Sequence, residues 1–85
     1  MAIVDDLRDF LGKDLRVADA ATLTEDFPLV QRGVLDSIEL MQVVEFLERT
    51  YGIQIDDTDI VPANLGTLAA MSALVGRKQN ATAAR

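Results

Sequence analysis

The sequence contains no cysteine and no histidine. Without cysteine no disulfide framework can staple the fold, and without histidine the usual zinc ligand and the usual general base near neutral pH are both missing. The chain also offers no pairing of nucleophile with base and no glycine-rich loop to cradle a phosphate, so an enzyme active in its own right is not expected.

Positive charge is scarce: 8 Lys and Arg stand against 14 Asp and Glu, a formal charge of −6. Residues 1–35, 36–51 and 52–60 each carry −3, whereas residues 61–85 carry +3. Neutralising phosphates requires clustered cations, and only Arg77, Lys78 and Arg85 lie in the positive segment, so nucleic acid is not an expected partner. The acidic middle should instead attract basic partners.

Long apolar runs are missing as well. Ile60 to Gly76 is free of charge, but it is 17 residues long and contains Pro62, Asn64, Gly66, Thr67 and Ser72, which suits neither the length nor the polarity of a membrane span. Asp5 and Asp6 stand where a signal peptide needs positive charge before its apolar core. The expectation is a cytoplasmic, monomeric protein with no membrane segment.

What is present suits one small folded domain: 85 residues, 49% hydrophobic and 26% charged. Ile3, Val4, Leu7, Phe10 and Leu11 recur at the helical period, with Asp5, Asp6, Arg8 and Asp9 opposite, and predict a first helix ending near Gly12. From Lys13 to Leu35 no period persists, yet Leu15, Val17, Leu23, Phe27, Leu29, Val30 and Val34 are apolar, which describes a long loop pinned across the core. Asp36 is a strong N-cap with Glu39 three residues later, so a second helix should run from there to about Tyr51, where Gly52 stops it. Asp56, Asp57, Thr58 and Asp59 can cap one short turn before Pro62. A last helix is predicted from Asn64 or Thr67 to about Val75, with a polar, Ala-rich tail behind it. The domain is accordingly drawn as 1–77, with 78–85 a disordered tail.

On the second helix Val43, Leu47, Leu40, Tyr51 and Val44 fall in one arc, the core stripe. Ile38, Met41, Gln42, Glu45, Glu48 and Arg49 fall on the side where Ser37 projects. Phe46 belongs to neither arc and is expected against the long loop. Two readings of the exposed apolar pair stand: Ile38 and Met41 touch nothing, or they form a docking face ringed by Glu45 and Glu48 beside one hydroxyl. With Asp36 as the cap, the Ser37 hydroxyl is not needed by the helix's own backbone donors.

The run Gly33-Val34-Leu35-Asp36-Ser37-Ile38, followed by a helix ending Phe46-Leu47-Glu48-Arg49-Thr50-Tyr51-Gly52-Ile53-Gln54-Ile55, resembles the acyl carrier and peptidyl carrier protein family. The agreement spans about residues 2 to 77, from the first helix to the turn near Pro62 and the last helix. The resemblance implies an all-α fold: a small four-helix bundle with a long first loop and a short third helix. It implies that Ser37 receives a covalent 4′-phosphopantetheine from coenzyme A and that Asp36 contacts the phosphopantetheinyl transferase and its Mg²⁺. It also implies partner enzymes that load and process acyl groups and bind with basic patches to Ile38, Met41, Gln42, Glu45 and Glu48. The protein would then carry acyl thioesters in fatty acid or specialised biosynthesis.

An aminoacyl, peptidyl or D-alanyl cargo is the alternative, because Gln42 and Arg49 stand where strongly acidic fatty-acid carriers usually have acids. Sequestration of a chain inside the bundle would involve Leu40, Val44, Leu47, Ile55 and Leu68, residues that plain core packing also explains. A non-modified acidic interaction module is the competing class. A calcium loop beginning at Asp57 would need Gly at its sixth position and Glu at its twelfth, where this chain has Pro62 and Leu68, so no metal site is expected.

Overall fold

A computed structural model describes residues 2–83. Four α-helices follow one another, α1 (Ala2–Lys13), α2 (Ser37–Tyr51), α3 (Pro62–Leu65) and α4 (Leu68–Ala83), with single 3₁₀ turns at Ala20–Thr22 and Asp57–Asp59. No strand occurs among the described residues. The architecture is the small helical bundle that the sequence predicts, with the long connection between α1 and α2.

α1 buries Val4, Leu7, Phe10 and Leu11. α2 contributes Val43, Val44 and Leu47, and α4 lays Leu68, Met71, Leu74 and Val75 against both. Leu40 and Tyr51, also expected in the core stripe, are half-buried at its edge. Phe46 departs from expectation. Its ring stacks on Phe10 of α1 with centroids 4.3 Å apart and meets Tyr51 edge-on at 6.5 Å, because an aromatic beside the core stripe finds more apolar area on a neighbouring helix than on a loop.

The long connection is fastened at both side-chain and backbone level. Ala20, Leu29 and Leu35 are buried, and Leu15, Val17, Leu23, Phe27 and Val34 pack on the core around them. Arg8 donates from Nε to the Leu23 carbonyl at 2.9 Å. At the far side, the Leu29 N–H donates to the Gly66 carbonyl at 2.8 Å and the Ala69 N–H to the Glu25 carbonyl at 2.9 Å. These bonds satisfy backbone groups that have no ladder to join, and they tie the loop to the α3–α4 junction.

The C-terminal region differs most from the sequence expectation. Pro62 does not merely follow a helical turn; it opens α3 at a position where its missing N–H costs nothing. α4 begins at Leu68 with the Thr67 hydroxyl accepting the Ala70 N–H at 3.0 Å. It then continues through Gly76 to Ala83, so the predicted end near Val75 and the predicted tail at 78–85 are corrected up to residue 83. Residues 84 and 85 lie outside the described residues. The extension has tertiary partners: Lys78 Nζ lies 2.6 Å from Asp59 Oδ2 and 3.6 Å from Asp56 Oδ2, and Arg77 donates to Asn64 Oδ1 at 3.1 Å. Asn64 in turn donates from Nδ2 to the Asp59 carbonyl at 2.8 Å, which closes a polar strap between α4 and the 56–64 segment.

Candidate functional site

The start of α2 is built by a reciprocal cap. Asp36 has extended backbone, its Oδ1 accepts the Glu39 N–H at 2.8 Å, and Glu39 Oε1 accepts the Asp36 N–H at 3.1 Å. Two donors that a helix start would leave orphaned are thereby satisfied without Ser37. The chain reaches this cap from a buried Leu35, whose N–H, like that of Val34, points at the Leu29 carbonyl. Gly52 closes the other end in left-handed conformation (φ 65°), with its N–H on the Glu48 carbonyl.

Ser37 is therefore the first helical residue, exposed, with its hydroxyl bonded to no other described residue. The sequence holds one other serine, Ser72, which lies half-buried in the middle of α4. The two hydroxyls thus differ in access and in field. Only Ser37 stands at a helix N-terminus, where backbone N–H groups and the macrodipole favour an anion by roughly 0.3–1 kcal/mol at an exposed site. A phosphodiester formed there fits without a basic residue beside it.

Ser37, Ile38, Met41, Gln42 and Glu45 line one shallow groove of about 430 Å³ on the surface of α2. Ile38 is 73% exposed and Met41 49%, so neither has found a place in the core or under the loop. Five of the seven residues read from sequence as one face, Ser37 included, do come together, and Arg49 lies one helical turn beyond Glu45. Glu48 does not join them: its Oε2 accepts the Ile55 N–H at 2.8 Å, which fastens the segment after α2 back onto the helix. The sequence signal for that role is the placing of Glu48 next to the core stripe, on the last turn before an Ile-x-Ile segment with no helical partner for its N–H groups.

Among the residues considered for sequestration, Val44, Leu47, Ile55 and Leu68 are buried and Leu40 is half-buried. Asp56 and Asp59 form a capping box of their own, and both face Lys78. The hydrogen bond from Lys78 holds the Asp59 carboxyl below the usual carboxylate range, helped by the Asp56 N–H, and the same bond raises the Lys78 ammonium above the ordinary lysine value. Tyr51 donates its hydroxyl to Asp6 Oδ2 at 2.7 Å; burial first, then this bond and the Asp6 charge, push its pKa well above that of a free tyrosine. Sequence reasoning did not pair these residues, since both partnerships join segments far apart in the chain.

No helix of the described residues is long and apolar enough to cross a membrane. Residues 2–75 match the family described as phosphopantetheine attachment site. Among curated proteins the chain is similar to the acyl carrier protein of Brachyspira hyodysenteriae, 29% identical over 59 residues that cover 69% of this chain and 76% of that one. Among solved structures it is similar to a chain in the crystal structure of a FAD-dependent dehydrogenase, with a TM-score of 0.71 and 28% identity over 81% of this chain and 97% of that chain. With the family pattern running from the first turn of α1 into α4, the chain belongs to the phosphopantetheine-attachment family of carrier proteins, which hold a covalently attached 4′-phosphopantetheine.

Proposed function

We propose that Ser37 is the attachment point and that the protein presents acyl thioesters, tethered through it, to a succession of enzymes. The observation that carries this reading is the exposed, unbonded Ser37 hydroxyl at the first position of α2. In the loading step the Ser37 oxygen would attack the pantetheine-bearing phosphorus of coenzyme A. A phosphodiester forms, the pyrophosphate bond breaks, adenosine bisphosphate leaves, and the serine proton passes to the transferase. Asp36 is the carboxylate nearest in sequence to that oxygen and is proposed to meet the transferase's Mg²⁺ with the oxygen its cap leaves spare. The attached group supplies the thiol that this cysteine-free chain lacks.

The groove of Ser37, Ile38, Met41, Gln42 and Glu45 is proposed as the surface on which the transferase and the acyl-loading and acyl-processing enzymes dock. Fatty-acid and specialised pathways share such a site. A second reading concerns the client: the likeness to a chain from a FAD-dependent dehydrogenase structure supports such a dehydrogenase acting on the tethered acyl or aminoacyl group, with two hydrogens passing from that group to the flavin.

Incubation with a broad-specificity phosphopantetheinyl transferase and coenzyme A, followed by intact-mass analysis, tests the main reading. The wild-type protein should gain one phosphopantetheine, and Ser37→Ala should gain none while keeping its helical circular dichroism. An unchanged wild-type mass, under conditions that label another carrier, would favour a non-modified interaction module.

A further inference from the structure

Four carboxylates cap or line α2, and three are already engaged within the chain. Asp36 and Glu39 close the capping box, and Glu48 holds the Ile55 N–H. Glu45 is exposed and bonded to no other described residue. One helical turn farther from the serine, Arg49 is also exposed, and it forms no ion pair with Glu45 although the i, i+4 spacing allows one. Steps of seven and four residues place Ile38, Glu45 and Arg49 on one stripe of the helix. Read outward from Ser37, the face therefore presents a hydroxyl, the apolar Ile38 and Met41, the amide of Gln42, one anion and then one cation. On this stripe one anion and one cation oppose each other, while Asp36, Glu39 and Glu48, bonded only to backbone N–H groups, keep their negative charge beside it.

Resting on the carrier reading above, we propose that partners read the order of Glu45 and Arg49 on this face, an anion followed by a cation, and not the acidity of α2 alone. The partner that fits is an enzyme presenting an apolar side chain to Ile38 and Met41, a Lys or Arg to Glu45, and a carboxylate to Arg49. A uniformly basic patch would be drawn to the acids of α2, yet beyond Glu45 it would meet a like charge at Arg49 only about 5–6 Å away along the helix. Rim charges of this kind contribute little affinity, but they decide which partners are accepted and how fast they arrive.

The test is the rate of arm transfer by a phosphopantetheinyl transferase at low ionic strength, measured on Glu45→Arg, Arg49→Glu and the double exchange of the two. The transferase is a suitable probe because every client must approach the same serine. Each single variant and the double exchange should lose about two- to fivefold in kcat/KM, the range of exposed ion pairs. The loss should shrink as salt rises. The double exchange restores the net charge but reverses the order, so its failure to recover is the expected signature. Faster transfer to Arg49→Glu, or a double exchange equal to wild type, would overturn recognition of that order while leaving the carrier reading intact. Wild-type protein that accepts no arm at all would remove both.

Discussion

Ser37 and Ser72 carry the same functional group, and only their surroundings separate them. The capping box relieves Ser37 of any structural duty, whereas Ser72 lies half-buried along α4. Glu48 shows the opposite assignment. It sits one turn from Glu45 on the same helix, yet its carboxylate is the partner of a partly buried backbone donor. Removing that partner leaves the Ile55 N–H unsatisfied, a cost of about 1–3 kcal/mol. Glu48→Ala should therefore lower the urea midpoint of unfolding by a matching amount, while Glu45→Ala leaves it unchanged. Equal midpoints for the two variants would return Glu48 to the docking face.

At the scale of elements, the helices that sequence reading placed well are those whose signals are local. α1 and α2 have an apolar stripe, and α2 has both a capping box and a glycine in left-handed conformation at its end. The end of α4 was not legible, because what holds it is the pairing of Lys78 with Asp59, nineteen residues earlier in the chain. Glu48 escaped for the same reason: helical angle places it near Ser37, and only the fold supplies the Ile55 N–H. The α4 strap has a definite pH window. Asp59 is shifted down, so its contribution is present above the ordinary carboxylate range and is lost as pH falls through the depressed value. Lys78 is shifted up, so its contribution is present below the ordinary lysine value and is lost as pH rises through the raised one. Amide protection factors at residues 77–80, which divide out the intrinsic pH dependence of exchange, should be high at neutral pH and fall at both extremes, and in Lys78→Met they should be low throughout; protection that ignores the substitution would show that the strap does not hold the helix.

The junction between α3 and α4 is the second element-level test. A Cβ added at Gly66 would lie 2.6 Å from the Pro62 carbonyl oxygen, and backbone cannot swing aside as a side chain can. The same oxygen accepts the Gly66 N–H, and the Gly66 carbonyl accepts the Leu29 N–H that anchors the long loop. Gly66→Ala should cost about 1–3 kcal/mol, the range for forced overpacking, and should loosen the loop along with α3. Unfolding of Gly66→Ala at the wild-type urea midpoint would contradict this.

Over the whole molecule, the fold sorts the charge that the sequence only distributes. Of the positive C-terminal segment, Lys78 is folded back onto Asp56 and Asp59 and Arg77 onto Asn64. The surface beside Ser37 is left with the exposed apolar side chains Ile38 and Met41 and no Lys or Arg in the groove they share with the serine. A tethered carrier has to meet several enzymes and leave each of them, and modest, steering contacts suit that traffic better than tight ones. On the proposed reading, the rest of the chain serves to hold one serine still, in the open, at the start of an anchored helix. Peptide mapping by tandem mass spectrometry, after treatment with transferase and coenzyme A, tests this claim most directly. The account predicts one phosphopantetheine per chain with fragment ions placing it on Ser37. Modification at Ser72 or at a threonine would contradict it.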